Sequence, residues 1–125
     1  MYSISIEHTG SFLSCKIQGK NKVEHVIHYL NDVHCAMEEH HCGKVLIEEN
    51  LSGPGLNLLN IYHVIRTAKK TVFSLPHAIA YVDSNPAHDH NNMKFAETVA
   101  RNRHINMRLF INIKDASEWL EGILL

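Results

Sequence analysis

The sequence predicts an α/β fold: a mixed sheet, antiparallel at an N-terminal hairpin and parallel thereafter, with about four helices packed against it. Three observations predict it. Apolar residues alternate with period two at the start of the chain, as on a half-buried strand. The period then switches to 3.6 and back several times, which implies βα units and a parallel sheet. Finally, the short apolar run Val45-Leu46-Ile47 leads through Ser52-Gly53-Pro54-Gly55 into a helical pattern, the way a central strand ends at the carboxyl edge of such a sheet.

The elements follow in order. Tyr2, Ile4 and Ile6 alternate with Ser3, Ser5 and Glu7. After a turn at Thr9-Gly10, Leu13, Cys15 and Ile17 alternate with Ser14, Lys16 and Gln18. These runs read as a hairpin. Val23, Val26, Ile27, Leu30, Val33 and Met37 make a helical core stripe, with His25, His28, Asp32 and Glu39 on the other face and Gly43 as its stop. Val45 to Ile47 is the central strand. Leu58, Ile61, Tyr62, Ile65 and Ala68 form a second stripe, closed by Arg66, Lys69 and Lys70, cations that suit a helix C-terminus. Ala78 to Val82 is a buried strand, stopped by Asp83-Ser84-Asn85-Pro86. A polar loop, residues 87–92, leads to a third helix with Met93, Phe95, Ala96, Val99 and Ala100 inward. Residues 106–111 form the last strand. Asn112 caps a final helix whose buried stripe is Ala116, Trp119, Leu120 and Ile123.

Composition narrows the function. At 125 residues, 45% of them hydrophobic, the chain reads as one domain, 1–125, around a single core. A formal net charge of −1 supplies no global field for nucleic acid or an anionic membrane. No apolar run reaches the length of a transmembrane segment. The N-terminal segment from Met1 lacks the basic and apolar regions of a signal peptide. Cys15, Cys35 and Cys42 are odd in number and form no Cys-x-x-Cys, so a reducing cytoplasm is the expected compartment. There are 11 histidines. Left solvated, they would carry the net charge toward about +10 on acidification through their ordinary pKa.

No nucleophile elbow, Walker loop or dinucleotide fingerprint occurs. Glu48 and Glu49 are adjacent and so face opposite sides of a strand, which prevents joint acid/base work. His25, His28 and Asp32 recur at helical spacing that can converge on a metal, but on the face where polar residues belong anyway. His88-Asp89-His90 is better placed for a metal, in a segment otherwise read as an ordinary loop. Arg101, Arg103, His104 and Arg108 suggest a basic patch without interleaved stacking aromatics, so nucleic-acid binding is not expected. No catalytic residue, metal or cofactor is expected. Phe12 lies opposite Leu13, Cys15 and Ile17 on its strand, exposed or against another element, and offers a surface for a homodimer.

The chain resembles the SpoIIAA-like, or STAS-like (sulfate transporter and anti-sigma-factor antagonist), proteins. It looks most like a branch of small bacterial proteins related to the CRAL-TRIO lipid-binding fold. Residues 44–49 with the Ser-Gly turn, residues 78–83, and Phe95-Ala96-Glu97 through Met107-Arg108-Leu109-Phe110 and Asp115-Ala116-Ser117-Glu118-Trp119-Leu120 carry the resemblance. It implies a non-enzymatic module that binds a small ligand or regulates a protein partner. It also implies a rival, a phospho-regulated partner switch centred on Ser52, which matches the position of the phosphorylated residue in anti-sigma antagonists. Here Leu51 replaces the acidic residue before it and Pro54 follows Gly53. A metal-dependent enzyme using the loop histidines is the remaining alternative.

Ligands of open α/β sheets bind outside the carboxyl ends of parallel strands. The candidate site is therefore the edge formed by residues 50–53, 83–86 and 112–114. Gly53 and Gly55 permit close backbone approach, Ser52, Ser84 and Asn85 supply hydrogen bonds, and Leu56 or Tyr62 supplies apolar contact. The expected occupant is a small anionic or amphipathic ligand held near helix N-termini.

Overall fold

The computed structural model of the chain describes residues 2–71 and 77–124, with 68–71 described by backbone alone. Met1 and the side chains of Ala68, Lys69 and Lys70, invoked above, lie outside the described residues. The element order is β1 (Tyr2–Thr9), β2 (Phe12–Lys20), α1 (Val23–His40), β3 (Lys44–Ser52), α2 (Leu58–Thr71), β4 (Ala78–Asp83), α3 (His90–Asn102), β5 (Met107–Phe110) and α4 (Ile113–Glu121). The five strands form one sheet in sequential order, with β3 at its centre.

β1 and β2 pair antiparallel across a two-residue turn, with Thr9 opposite Phe12. Gly10 takes φ +63° there, the conformation required of a glycine that opens such a turn. β2, β3, β4 and β5 are parallel, with Ile17 opposite Glu49, Ile47 opposite Tyr81 and Tyr81 opposite Leu109. Crossovers of one hand that always advance in the same direction must pass over the same face of the sheet. α1, α2 and α3 accordingly share one core with Leu13, Cys15, Ile17, Val45, Ile47 and Ile79. The opposite face is left to α4. Ala116 and Leu120 pack there on Phe12, Leu46, Ala78, Ala80 and Val82. Lys44, 9% exposed, fixes the far end of α4 by donating from Nζ to the carbonyls of Leu120 (2.7 Å) and Ile123 (3.1 Å). The fully buried Val45 to Ile47 run, lying between two cores, explains its lack of alternation.

Several expectations are corrected. Gly43 does not stop α1. The helix ends at His40, and His41 takes the left-handed turn at φ 51° while Cys42 N donates to Met37 O at 3.0 Å. Histidine is among the residues that tolerate this conformation. His104, at φ 60°, ends α3 in the same manner, with Ile105 N bonded to Ala100 O at 2.9 Å. The buried stripe of α2 is Ile61, Val64 and Ile65; Leu58 and Tyr62 are exposed. α3 begins at His90 rather than after residue 92, because the Asp89 side chain accepts from Asn91 N and caps it. Phe12 is buried under α4 and is no free surface. Asn112 caps α4 as the sequence indicates, accepting from Asp115 N at 2.8 Å.

Candidate functional site

The residues chosen from the sequence at the carboxyl edge are brought together, except Tyr62. Ser52, exposed at the end of β3, donates from Oγ to Gly19 O at 3.1 Å. Gly53 takes φ +92°, and a Cβ on Gly55 would touch the His88 ring at 3.7 Å. Ser84 donates to Glu48 Oε2 at 3.4 Å. Asn85 donates from Nδ2 to Leu51 O at 2.7 Å, and its Oδ1 accepts from Ala87 N at 2.9 Å. Ser84 and Asn85 therefore tie the β4 end to β3, while Ser52 ties the β3 end to β2. α2 starts only at Leu58 and α3 only at His90, so neither Gly53 nor Asn85 sits at a helix N-terminus. Tyr62 stands apart on α2, where the Arg103 guanidinium lies 4.6 Å from its ring centre and donates to its hydroxyl at 2.7 Å.

His88 is held, contrary to an ordinary loop residue. Its side chain is 2% exposed and that of Asp83 is 7% exposed. Nδ1 faces Asp83 Oδ2 at 2.7 Å and Nε2 faces Gly53 O at 2.9 Å. The shorter contact of each ring nitrogen is to an acceptor, a pattern that the imidazolium satisfies, while the Asn85 amide nitrogen lies farther from Nε2 at 3.3 Å. Burial by itself disfavours that charge, but the Asp83 hydrogen bond, the Gly53 carbonyl and the charges of Asp83 and Glu49 outweigh it and raise the His88 pKa above 6.5. Asp83, Asn85, His88 and His90 line a recess at the ends of β4 and β5, closed by Met93, Leu109, Phe110 and Ile111.

The feature that sequence reasoning missed is Glu49. It is 4% exposed on the helix-covered face, where Asp83 is its cross-strand partner. Tyr29 of α1 donates to Oε2, and Tyr81 of β4 donates to Oε1 at 2.5 Å. Burial raises the Glu49 pKa, the two hydroxyls oppose that rise, Asp83 adds to it and His88 lowers it. Both tyrosines are pushed well above their ordinary range, first by burial and then by the Glu49 charge. This triad lies at a pocket walled by α1, α2, α3 and the central strands, with about 700 Å³ of empty space counting the solvent at its mouth. Leu30, Leu56, Ile65, Ile79, Ala96 and Met107 are among its apolar lining; among the described residues Asn21 is its other polar residue besides Glu49 and the two tyrosines. The signals were present: Tyr29 falls between Val26 and Val33 on the stripe, and parity puts Glu49 on the face of Val45 and Ile47.

The remaining constellations disperse. His25 and Asp32 do not present a solvated face: Asp32 accepts from Tyr2 Oη at 2.6 Å, and the His25 ring lies 5.6 Å from that of Tyr2. His28 is exposed. Among the described residues no three His, Cys, Asp or Glu side chains are arranged to hold a metal. The basic residues do not form one patch. Arg103 stacks on Tyr62, while Arg108 lies on the α4 side over Phe110 and Trp119. Among the described residues no helix is long and apolar enough to cross a membrane.

No known family and no curated protein matches the chain in sequence. The fold does have a solved counterpart. An anti-sigma factor antagonist from Mycobacterium paratuberculosis superposes with a TM-score of 0.63 over 98% of this chain and 96% of that one, at 8% identity. The chain therefore has the STAS-like fold, with its antiparallel start and parallel continuation; the CRAL-TRIO relation gains no support from this likeness.

Proposed function

We propose that the protein is a non-enzymatic STAS-like regulatory module that holds a small ligand with an apolar body in the pocket over Glu49. The pocket carries this reading. Apolar surface withdrawn from water stabilises a complex by roughly 25 cal/mol per Å², and a mostly apolar cleft with a few placed polar groups is the usual form of a ligand site. Because α1, α2 and α3 all contribute to the lining, occupancy would set how these helices pack and so reach a protein partner on the surface. A non-catalytic role agrees with the disposition of the reactive groups. His88 meets a carboxylate and a backbone carbonyl rather than a nucleophile, and burial pushes the Cys15 thiol up to about 12. Three unpaired cysteines accord with a reducing compartment.

The test is NMR of isoleucine methyl groups with n-hexanol as probe. Ile61, Ile65 and Ile79 are expected to shift, and Ala96→Phe, which fills the cleft, is expected to abolish the shift. Unmoved methyls at saturating hexanol would remove the pocket as a binding site. A second reading keeps Ser52 as a phosphorylated switch. Its exposure favours that, and Leu59 and Ile111, each 81% exposed on the segments after β3 and β5, would serve a partner at the same edge. Its place six residues ahead of the first residue of α2 departs from a serine at a helix start. Phosphoserine at position 52 in protein from its native cells decides it.

A further inference from the structure

The polar groups of the pocket are unequal in a way that selects a ligand. Each oxygen of Glu49 accepts one tyrosine hydroxyl, whereas an ionised carboxylate offers about four acceptor positions. Asn21 lines the same pocket. Its Nδ2 donates to Pro54 O at 3.0 Å, which fixes the amide and leaves Oδ1 buried with no partner among the described residues. An unsatisfied buried acceptor costs free energy, and native structures rarely keep one without a reason. Among the described residues no lysine, arginine or histidine lines the pocket, so none of them offers a cation to an incoming anion. The pocket thus has open acceptors, a buried carboxyl and apolar walls.

We propose that the pocket recognises an amphipathic primary amine, its ammonium group donating to Glu49 and to Asn21 Oδ1 and its hydrocarbon body lying against Leu30, Leu56, Ile65 and Met107. This rests on the reading that the pocket takes a ligand, and it replaces the anionic alternative with a cationic one. An ammonium group has three donors and no acceptor, the complement of the open acceptors in the pocket. Its charge would also favour the ionised form of Glu49, which burial disfavours, because an opposite charge nearby does so. A carboxylate head would meet acceptors and a like charge. An alcohol head would supply one donor.

Three probes of equal length separate the ideas: n-hexylamine, n-hexanol and hexanoate, titrated at pH 7 against the whole chain and followed at the pocket isoleucine methyls. Hexylamine is expected to bind at least about tenfold more tightly than hexanol, and hexanoate more weakly than either, since hydrogen bonds to charged groups are the stronger kind. Glu49→Gln is expected to remove the preference for the amine while leaving hexanol binding in place. Asn21→Ala, which leaves the buried carboxyl in place, is expected to reduce the preference about tenfold or less. Equal binding of all three probes, or tightest binding of hexanoate, overturns the amine assignment while the pocket itself stands. Absence of binding by every probe overturns both. The wild-type comparison decides the matter even if Glu49→Gln fails to fold.

Discussion

Glu49 is an acid placed where acids are costly. Transfer of a lone carboxylate into a protein interior is opposed by several kcal/mol, and the group answers by holding its proton more tightly. Its pKa is raised from 4.5 by burial, with Tyr29 and Tyr81 opposing. The consequence for stability has a definite sign. The folded chain keeps a proton that the unfolded chain has lost, so unfolding releases it and stability falls as pH rises through the window above 4.5. The contribution is fully present below that value and is lost once pH exceeds the folded pKa. His88 acts in the same direction from 6.5 upward, because its imidazolium is favoured in the fold. Urea unfolding of wild type and Glu49→Gln across pH 4 to 8 tests this. The wild type is expected to lose stability relative to the variant as pH rises, by up to about 1.4 kcal/mol per pH unit within the window. A difference that stays constant with pH would show that Glu49 has its ordinary pKa.

Helix ends govern the elements. α1 and α3 both terminate on a histidine in the left-handed conformation, His41 at φ 51° and His104 at φ 60°, where glycine is the usual residue. A side chain in that region costs about 1 kcal/mol relative to glycine. His41 is exposed, so nothing else depends on its ring being buried. His41→Gly is therefore expected to stabilise the protein by up to about 1 kcal/mol, read as a higher midpoint in thermal or urea unfolding. An equal or lower midpoint would mean that the loss of unfolded-state restriction cancels the relief of strain. The same position shows why Gly43 misled: the search for a helix stop favours glycine, while the chain had already turned two residues earlier.

At the scale of the molecule, the two faces of the sheet are unequal. Three crossover helices cover one and α4 alone covers part of the other. Ser3, Ser5, Glu7, Lys16 and Gln18 occupy the uncovered part and are exposed, so water satisfies a face that would otherwise need another layer. Phe12 marks the boundary. At 6% exposure against Leu46, Leu120 and the alanines of β4, it is the anchor of α4 and not an association surface. Phe12→Ala is expected to lower stability by about 3 to 5 kcal/mol and to leave the mass seen by light scattering unchanged. A change of mass without loss of stability would restore Phe12 as an interface residue.

What the sequence determined by itself was local and periodic. Alternation in residues 2–18 specified the hairpin, the 3.6 period specified the helices, and Asn112 specified the start of α4, because each depends on neighbours a few residues apart. The carboxyl-edge segments Ser52-Gly53 and Ser84-Asn85 were legible as neighbours because parallel strands must end on the same side. Only the tertiary structure decided that Tyr29, Glu49 and Tyr81 meet, that Asp83 holds His88 against Gly53, and that Tyr62 leaves the site for Arg103. Glu49 and Tyr29 are 20 residues apart, and Tyr81 lies 32 from Glu49. Their meeting depends on strand register and on the face over which α1 crosses, and a shift of register by one residue would turn Glu49 to the other side of the sheet.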